Sequence, residues 1–239
     1  MFDAEGNLYG CSGEGRCILR FYPDGTRDEL PNNWNGSRHN TPNDMAIDRK
    51  GRIWFTDPNG RIPIEQRELD HSSVLRLDPD AKAEGGWTLN RMTHGTSAPN
   101  GILMSVDERI PYLIQSDYQG VRDLRAYPIR DDDTLGAFSV LHVFGEDSRG
   151  VHRGLDGMCL DTEGNIIACG GWRQAGPGPM LYVFSPSGRV LETHPVPVDW
   201  PTNCAFGGHG LDTLYVTTHG GHLFRVSNTG RRGLVLYPP

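Results

Sequence analysis

Features that are scarce or missing in this sequence exclude several classes of protein. Lys50 and Lys82 are the only lysines, the arginines are scattered singly, and the net charge is −7, so no basic surface for nucleic acid is expected. No apolar run approaches membrane-spanning length, and residues 1–6 lack the basic and apolar regions of a secretory signal. We therefore expect no nucleic-acid partner and no membrane, with a cytoplasmic location as the default.

Cysteine is also scarce, and its spacing argues against both a disulfide framework and a zinc site. The count of five is odd and no C-x-x-C pair occurs, although Cys11 and Cys17 are close enough along the chain to pair across a hairpin. We expect small buried residues in a reducing compartment. The five positions are Cys11, Cys17, Cys159, Cys169 and Cys204.

The composition lacks the alanine-, leucine-, lysine- and glutamate-rich runs that are typical of helices, and contains 31 glycines and 17 prolines instead. Glycine and proline interrupt regular structure and mark turns. The chain is therefore predicted to consist of many short strands that are joined by turns.

Three kinds of strand-like segment recur in a fixed order along the chain. The first kind opens with an Asn or Asp turn: Thr41–Asp48, Ala98–Ser105, Gly154–Asp161 and Pro201–Gly208. The second kind follows a tight turn: Gly6–Gly10, Gly51–Thr56, Arg109–Ile114, Gly164–Ala168 and Asp212–Val216. The third kind alternates apolar and polar residues: Ile18–Gly25, Val74–Pro79, Asp123–Pro128, Leu181–Gly188 and Leu223–Ser227.

The spacing of these segments predicts an all-β propeller. Successive copies of the second segment are 45, 57, 56 and 48 residues apart, measured between Leu8, Ile53, Ile110, Ile166 and Leu214. That period accommodates a four-stranded antiparallel blade with its loops, whereas a β-sandwich would have shorter and less regular spacing. We predict one domain over residues 1–239 with about five blades. Since the first copy has no complete opening strand before it, the chain is expected to begin inside a blade.

The Asn and Asp turns point to a shared site. The innermost strands of a propeller line its central channel, so their initial turns meet at one mouth. These turns would bring Asn43, Asn100, Asp156 and Asn203 together. Amide and carboxylate oxygens from separate strands suit a hard cation such as Ca²⁺, and the absence of His and Cys at these positions argues against a closed zinc site. Each tripeptide alone is also an ordinary turn sequence, and only its repetition favours the metal site.

The same residues carry a resemblance to a known family. Pro42–Asp44, followed by Gly51–Pro58, is very similar to the central signature of the SMP-30/gluconolactonase/luciferin-regenerating-enzyme-like proteins. Pro99–Ile102 and Leu155–Met158 resemble that family's next two signatures, in order and at family spacing. The resemblance implies a six-bladed propeller with one divalent cation in its channel, usually Ca²⁺ and sometimes Zn²⁺. It also implies hydrolysis of a small-molecule sugar lactone.

Residue by residue, the resemblance assigns roles to three side chains. Asn100 and Asp156 would be metal ligands, and Asn43 would be a ligand or a substrate-binding amide. Asp156 would also be the general base, or would position the attacking water. The family's remaining ligand is a Glu in a Glu-Gly-Pro-x-Trp segment, for which Glu14 is a poor substitute. Either the chain is a truncated form that lacks its N-terminal blade, or it is a diverged protein without the complete site. Since the chain is expected to begin inside a blade, truncation is favoured.

Further polar residues are candidates for contacts with the lactone hydroxyls. In falling order of preference these are Asn43, Asn203, Asp57, Arg153 and His152. Two alternatives to a lactonase stay open. One is a non-catalytic propeller that binds a carbohydrate or a peptide, and the other is an organophosphatase-like hydrolase that uses the same site.

Overall fold

The computed structural model describes residues 1–60 and 62–234, which form strands, turns and loops with very little helix. Two short 3-10 helices, Ile64–Gln66 and Glu84–Gly86, lie in loops. Within the described residues, no helix is long and apolar enough to cross a membrane.

Five antiparallel sheets follow one another along the chain as propeller blades. The first blade consists of β1 (Leu8–Ser12), β2 (Cys17–Phe21) and β3 (Arg27–Glu29), and a small hairpin of β4 (Asn33–Trp34) and β5 (Ser37–Arg38) follows it. The second blade consists of β6 (Met45–Ile47), β7 (Ile53–Asp57), β8 (Ser73–Pro79) and β9 (Trp87–Arg91). The third consists of β10 (Pro99–Met104), β11 (Pro111–Ser116), β12 (Arg122–Ala126) and β13 (Ser139–Val143).

A second hairpin, β14 (Glu146–Asp147) and β15 (Gly150–Val151), precedes the fourth blade. That blade consists of β16 (Leu155–Leu160), β17 (Ile166–Trp172), β18 (Ala175–Phe184) and β19 (Val190–Pro195). The fifth blade consists of β20 (Pro201–Gly207), β21 (Thr213–Thr218) and β22 (Leu223–Val226). In every blade, strands that are adjacent in sequence are also hydrogen-bonded neighbours.

The tight turns between the first and second predicted segments are formed by an Asp that accepts backbone hydrogen bonds and a Gly with a positive φ. Between β6 and β7, the Asp48 carboxylate accepts hydrogen bonds from the backbone N–H groups of Lys50 and Arg52, and Gly51 has a φ of 74°. Between β16 and β17, Asp161 and Gly164 repeat this arrangement, and Gly164 has a φ of 80°. Glycine takes these left-handed positions because it has no Cβ.

The hydrophobic core lies between the blades. Four separate clusters of buried side chains fill the spaces between successive blades, and they are centred on Phe55, Trp54, Phe184 and Val216. Because both faces of the β7 sheet are covered in this way, all five residues of β7 are buried. The stacking holds each inner strand against the inner strand of the next blade.

The predicted propeller with about five blades is confirmed, and β6, β10, β16 and β20 are the predicted first segments. The five cysteines are free and Cys11 and Cys17 do not pair. Cys17, Cys169 and Cys204 are buried as expected, whereas Cys11 and Cys159 are half-buried. The assignment of residues 1–239 to one domain stays a prediction.

Candidate functional site

The predicted Asn and Asp residues meet at one cavity of about 890 Å³. Asn43 lies just before β6, and Asn100, Asp156 and Asn203 lie near the starts of β10, β16 and β20. The backbone N–H of Asn43 donates to the carbonyl of Thr56, which holds the turn against its own blade. Four blades therefore contribute one amide or carboxylate each to a common cavity, as the repeat predicts.

Irregular strand pairing occurs at three of these residues and changes the direction in which their side chains point. The β10–β11 register shifts between Pro99 and Ile102, the stretch that contains Asn100. The β16–β17 register shifts between Leu155 and Met158, around Asp156. The β20–β21 register shifts between Pro201 and Asn203. A β-bulge rotates a side chain away from its regular alternation, and bulges are common next to active sites.

Two glycines let the inner strands come close together. A Cβ on Gly101 would stand 2.3 Å from the carbonyl oxygen of Asp156 in the next blade. A Cβ on Gly157 would stand 2.2 Å from Cγ of Asn203 in the blade after that. The glycines after Asn100 and Asp156 are thus required for contact with the following blade, in addition to forming a turn.

Arg153 holds Asp156 in place. The Nη2 of Arg153 forms an ion pair with Oδ2 of Asp156, and its Nη1 donates to the carbonyl of Pro201 at 2.8 Å. The guanidinium also lies over the Trp200 ring, 5.3 Å from the ring centroid. The Arg153 side chain is only 5% exposed, whereas that of Asp156 is 20% exposed. The structure therefore gives Arg153, predicted to bind substrate, at least one other role as the partner of Asp156.

Asp44 is a cavity residue that the sequence-based candidate list missed. Its carboxylate accepts hydrogen bonds from the N–H of Met45 at 2.9 Å and, across to the next blade, from the N–H of Ile102 at 3.2 Å. Burial, opposed by these hydrogen bonds and reinforced by the nearby Asp156 charge, raises the pKa of Asp44 to about 6. The Pro-Asn-Asp motif contained this residue, but only the packing shows that it reaches the neighbouring blade.

Two predicted substrate contacts do not line this cavity. Asp57 is fully buried at the end of β7, where Oδ2 accepts the Asn40 N–H at 2.9 Å. His152 is buried as well: its Nδ1 accepts the Gly154 N–H at 2.8 Å and its Nε2 lies 3.0 Å from the Tyr182 hydroxyl. Burial lowers the pKa of His152 to about 4, which keeps the ring neutral. The structure thus places both residues in the interior and not in the cavity wall, and their contact with substrate stays a prediction.

Aromatic residues form part of the cavity wall, and the sequence repeat did not predict them. Tyr118, Trp200 and His219 line the cavity together with Arg67, Gln119 and Thr202. Tyr118 lies in the turn between β11 and β12, while Trp200 and His219 belong to the fifth blade. All three lie in loops outside the strands, so the way the blades pack decides whether these side chains reach the same cavity.

The oxygen groups of the cavity suit a hard divalent cation. Asn43, Asn100, Asp156 and Asn203 offer amide and carboxylate oxygens, the donors that Ca²⁺ prefers. Among the described residues, no three His, Cys, Asp or Glu side chains form a metal cluster, so the amides are needed to complete any donor set. Zn²⁺, which favours nitrogen and sulfur, fits this set less well.

Comparison with known proteins gives a consistent result. The family model of the SMP-30/gluconolactonase/LRE-like region matches residues 29–220. The chain is 28% identical to a gluconolactonase of Zymomonas mobilis over 221 residues, covering 89% of this chain and 58% of that protein. It is 30% identical to a 6-deoxy-6-sulfogluconolactonase of Pseudomonas putida over 191 residues, covering 80% of this chain and 58% of that protein.

A solved structure agrees. The gluconolactonase of Xanthomonas campestris superimposes with a TM-score of 0.74 at 32% identity, covering 94% of this chain and 69% of that chain. The chain thus spans somewhat more than half the length of the two curated relatives.

Proposed function

We propose, from the premise that this chain belongs to the SMP-30/gluconolactonase/LRE-like family, that it carries the site of a hydrolase that opens sugar lactones. The observation that carries the proposal is the meeting of Asn43, Asn100, Asp156 and Asn203, one from each of four blades, in a single cavity. The printed names of two relatives, a gluconolactonase and a 6-deoxy-6-sulfogluconolactonase, support the class of substrate.

The proposal includes a divalent cation, with Ca²⁺ preferred over Zn²⁺. Asn100, Asp156 and Asn43 would hold it, because they offer hard oxygen donors on adjacent inner strands. When bound, such an ion polarises a carbonyl oxygen and lowers the pKa of water. Asp44, whose carboxylate ties the Asn43 turn to β10, keeps two of these ligand strands together.

The protein's own groups would orient the lactone and handle the proton. Asp156 is the proton acceptor in this scheme, and the Arg153 ion pair fixes the position of its carboxylate. Asn203 and Thr202 stand on the cavity wall, where they can hydrogen-bond to sugar hydroxyls. The neighbouring aromatic side chains Tyr118 and Trp200 add apolar surface to the cavity wall.

The test is hydrolysis of glucono-δ-lactone, followed by acid release, with added Ca²⁺ and after EDTA treatment. Asp156→Asn preserves shape and can still accept the Arg153 hydrogen bond, so it is expected to fold and to lose at least about 100-fold in kcat/KM. Asp212→Asn, an exposed carboxylate outside the cavity, is the matched control and retains full rate.

Three outcomes separate the candidate functions. Turnover that requires the ion and Asp156 supports the lactonase. Turnover of an organophosphate but not of a lactone would favour the organophosphatase-like alternative. Saturable sugar or peptide binding with no turnover of either would favour a binding propeller.

A further inference from the structure

A row of four ring side chains lies at the cavity, three of them in its wall and the fourth, Trp172, between Tyr118 and Trp200, and lactone opening does not explain this arrangement. We call Tyr118, Trp172, Trp200 and His219 the aromatic rim. Tyr118 stacks on Trp172 with 5.7 Å between centroids and a 9° angle between the planes. The Trp172 and Trp200 centroids are 5.9 Å apart, and those of Trp200 and His219 are 5.1 Å apart. The rim thus extends without a break over the third, fourth and fifth blades.

The turn that carries Tyr118, at one end of the rim, is held by hydrogen bonds although the ring is exposed. The ring is 46% exposed and lines the cavity. Its turn is held because Arg122 Nη1 donates to the carbonyls of Asp117 at 3.1 Å and of Tyr118 at 3.2 Å. The Gln119 N–H also donates to the Asp117 carboxylate at 3.0 Å. An exposed aromatic ring on a turn fixed in this way is preorganised for a ligand.

The Trp200 end is held in an unfavourable backbone conformation. Trp200 has a φ of 57°, which is sparsely populated for a bulky residue that precedes a proline. Its N–H donates to the Asp199 carboxylate at 3.0 Å, and its carbonyl accepts the His219 N–H at 2.9 Å. Backbone strain of this kind persists where the surroundings enforce it, and it concentrates at binding sites.

The rim starts one side chain away from the reacting centre. The Trp200 ring contacts the Arg153 guanidinium, which pairs with Asp156. A lactone ring at Asp156 would therefore have the rim beside it, in the direction of Trp172 and Tyr118. The cavity of about 890 Å³ is in the range that holds drug-sized ligands of roughly 300–1,000 Å³, which is more room than one six-carbon lactone requires.

We propose that the aromatic rim is a subsite for a second sugar ring, so that the preferred substrate is the lactone of a disaccharide aldonic acid. The proposal rests on the lactonase function for the first ring. Its chemical basis is that the C–H groups on a pyranose face carry partial positive charge and pack against the negative face of an aromatic ring. Gln119, Asp117 and Thr202 lie on the same cavity wall, where they can bind the hydroxyls at the edge of the ring.

Kinetics with two substrates test the subsite. We expect the kcat/KM for cellobiono-δ-lactone to exceed that for glucono-δ-lactone in the wild-type protein. Tyr118→Ala should reduce this ratio about tenfold, and Trp172→Leu, which removes the support behind Tyr118, should reduce it by a smaller factor. Tyr22→Ala changes a tyrosine that does not line this cavity and should leave the ratio unchanged. An unchanged ratio in folded Tyr118→Ala protein would overturn the subsite.

A binding measurement keeps this inference separable from the catalytic one. Cellobiose contains the second ring but no lactone, so its binding can be measured without hydrolysis. Trp172 and Trp200 are two of the five tryptophans that contribute to the fluorescence, and comparison with Tyr118→Ala assigns any quenching to the rim. Saturable quenching that is weakened by Tyr118→Ala and retained by Tyr22→Ala supports the subsite even if neither lactone is hydrolysed. No quenching by cellobiose, together with hydrolysis of glucono-δ-lactone, would overturn the subsite while leaving the lactonase proposal intact.

Discussion

Two cavities along the inner strands differ in the side chains that line them, although the same strands line both. At the oxygen end, Asn43, Asn100, Asp156 and Asn203 face a cavity of about 890 Å³. A few residues along the strands, a smaller cavity of about 420 Å³ is lined mainly by sulfur-containing and apolar side chains, among them Met45, Met104, Met158, Cys159 and Cys204. Asp44 and Asn203 line both cavities.

The difference comes from strand position. Bulges at the strand starts turn polar side chains into the channel, and regular pairing then resumes. At the sulfur end the side chains pack on one another, and the sulfur atoms of Cys159 and Cys204 are 3.6 Å apart. The hydrogen bond with Cys204 and burial together raise the pKa of the Cys159 thiol well above its usual value. We infer that the side chains at the oxygen end bind ligands, whereas those at the sulfur end hold neighbouring blades together.

The largest expected contrast is within β10. Asn100→Ala should weaken Ca²⁺ binding and lactone hydrolysis at least tenfold while the melting temperature changes little, because Asn100 is only half-buried. Met104→Ala, four residues along, removes a side chain with 0% exposure and should cost about 2–5 kcal/mol of unfolding free energy. Calcium titration calorimetry and urea unfolding measure the two effects. Equal loss of metal affinity in both variants would contradict the division between the ends.

A substitution where the blades approach closely at the oxygen end should have a smaller effect on stability than Met104→Ala. Gly157→Ala places a methyl group where Asn203 now lies, so the Asn203 side chain must move. We expect about a tenfold loss of lactone hydrolysis and about 1 kcal/mol of stability, because Asn203 is exposed and can give way. Gly145→Ala is the control, since a Cβ there meets no atom within 4 Å. Wild-type kinetics in Gly157→Ala would show that Asn203 does not contact substrate.

A third carboxylate near the oxygen end should affect stability rather than catalysis. Burial, opposed by hydrogen bonds from Asn40, raises the pKa of Asp57 to about 7. This pKa lies above the value of about 4 in the unfolded chain, so folding takes up a proton between these pH values and stability falls as pH rises through that window.

Asp57→Asn removes this dependence. The melting temperature of the variant relative to wild type should therefore increase from pH 5 to pH 8. The increase should be about 2–4 °C for each kcal/mol of unfolding free energy that the wild type loses over this range. Differential scanning fluorimetry at both pH values measures it, and Asp24→Asn, an exposed turn residue, serves as the control. If the melting temperature of Asp57→Asn differs from that of wild type by the same amount at pH 5 and pH 8, then Asp57 is ionised at both pH values.

Much of this molecule could be predicted from local sequence. The turn residues Asp48 and Gly51, and their counterparts Asp161 and Gly164, form the same hydrogen-bonded turn because Asp accepts from nearby backbone N–H groups and glycine tolerates positive φ. The regular recurrence of such turns was sufficient to predict the propeller. It also placed Asn43, Asn100, Asp156 and Asn203 at one cavity, since inner strands of stacked blades meet at the axis.

Only the tertiary structure decided which other polar residues reach the cavity. Asp57 and His152 stand close to the motifs along the chain but are buried within or between blades, whereas Asp44 and Trp200 reach the site through contacts with neighbouring blades or loops. The physical reason is that sequence periodicity reports which face of its own strand a residue occupies. The environment on that face is set by the next blade, whose contribution comes from residues about 50 positions away.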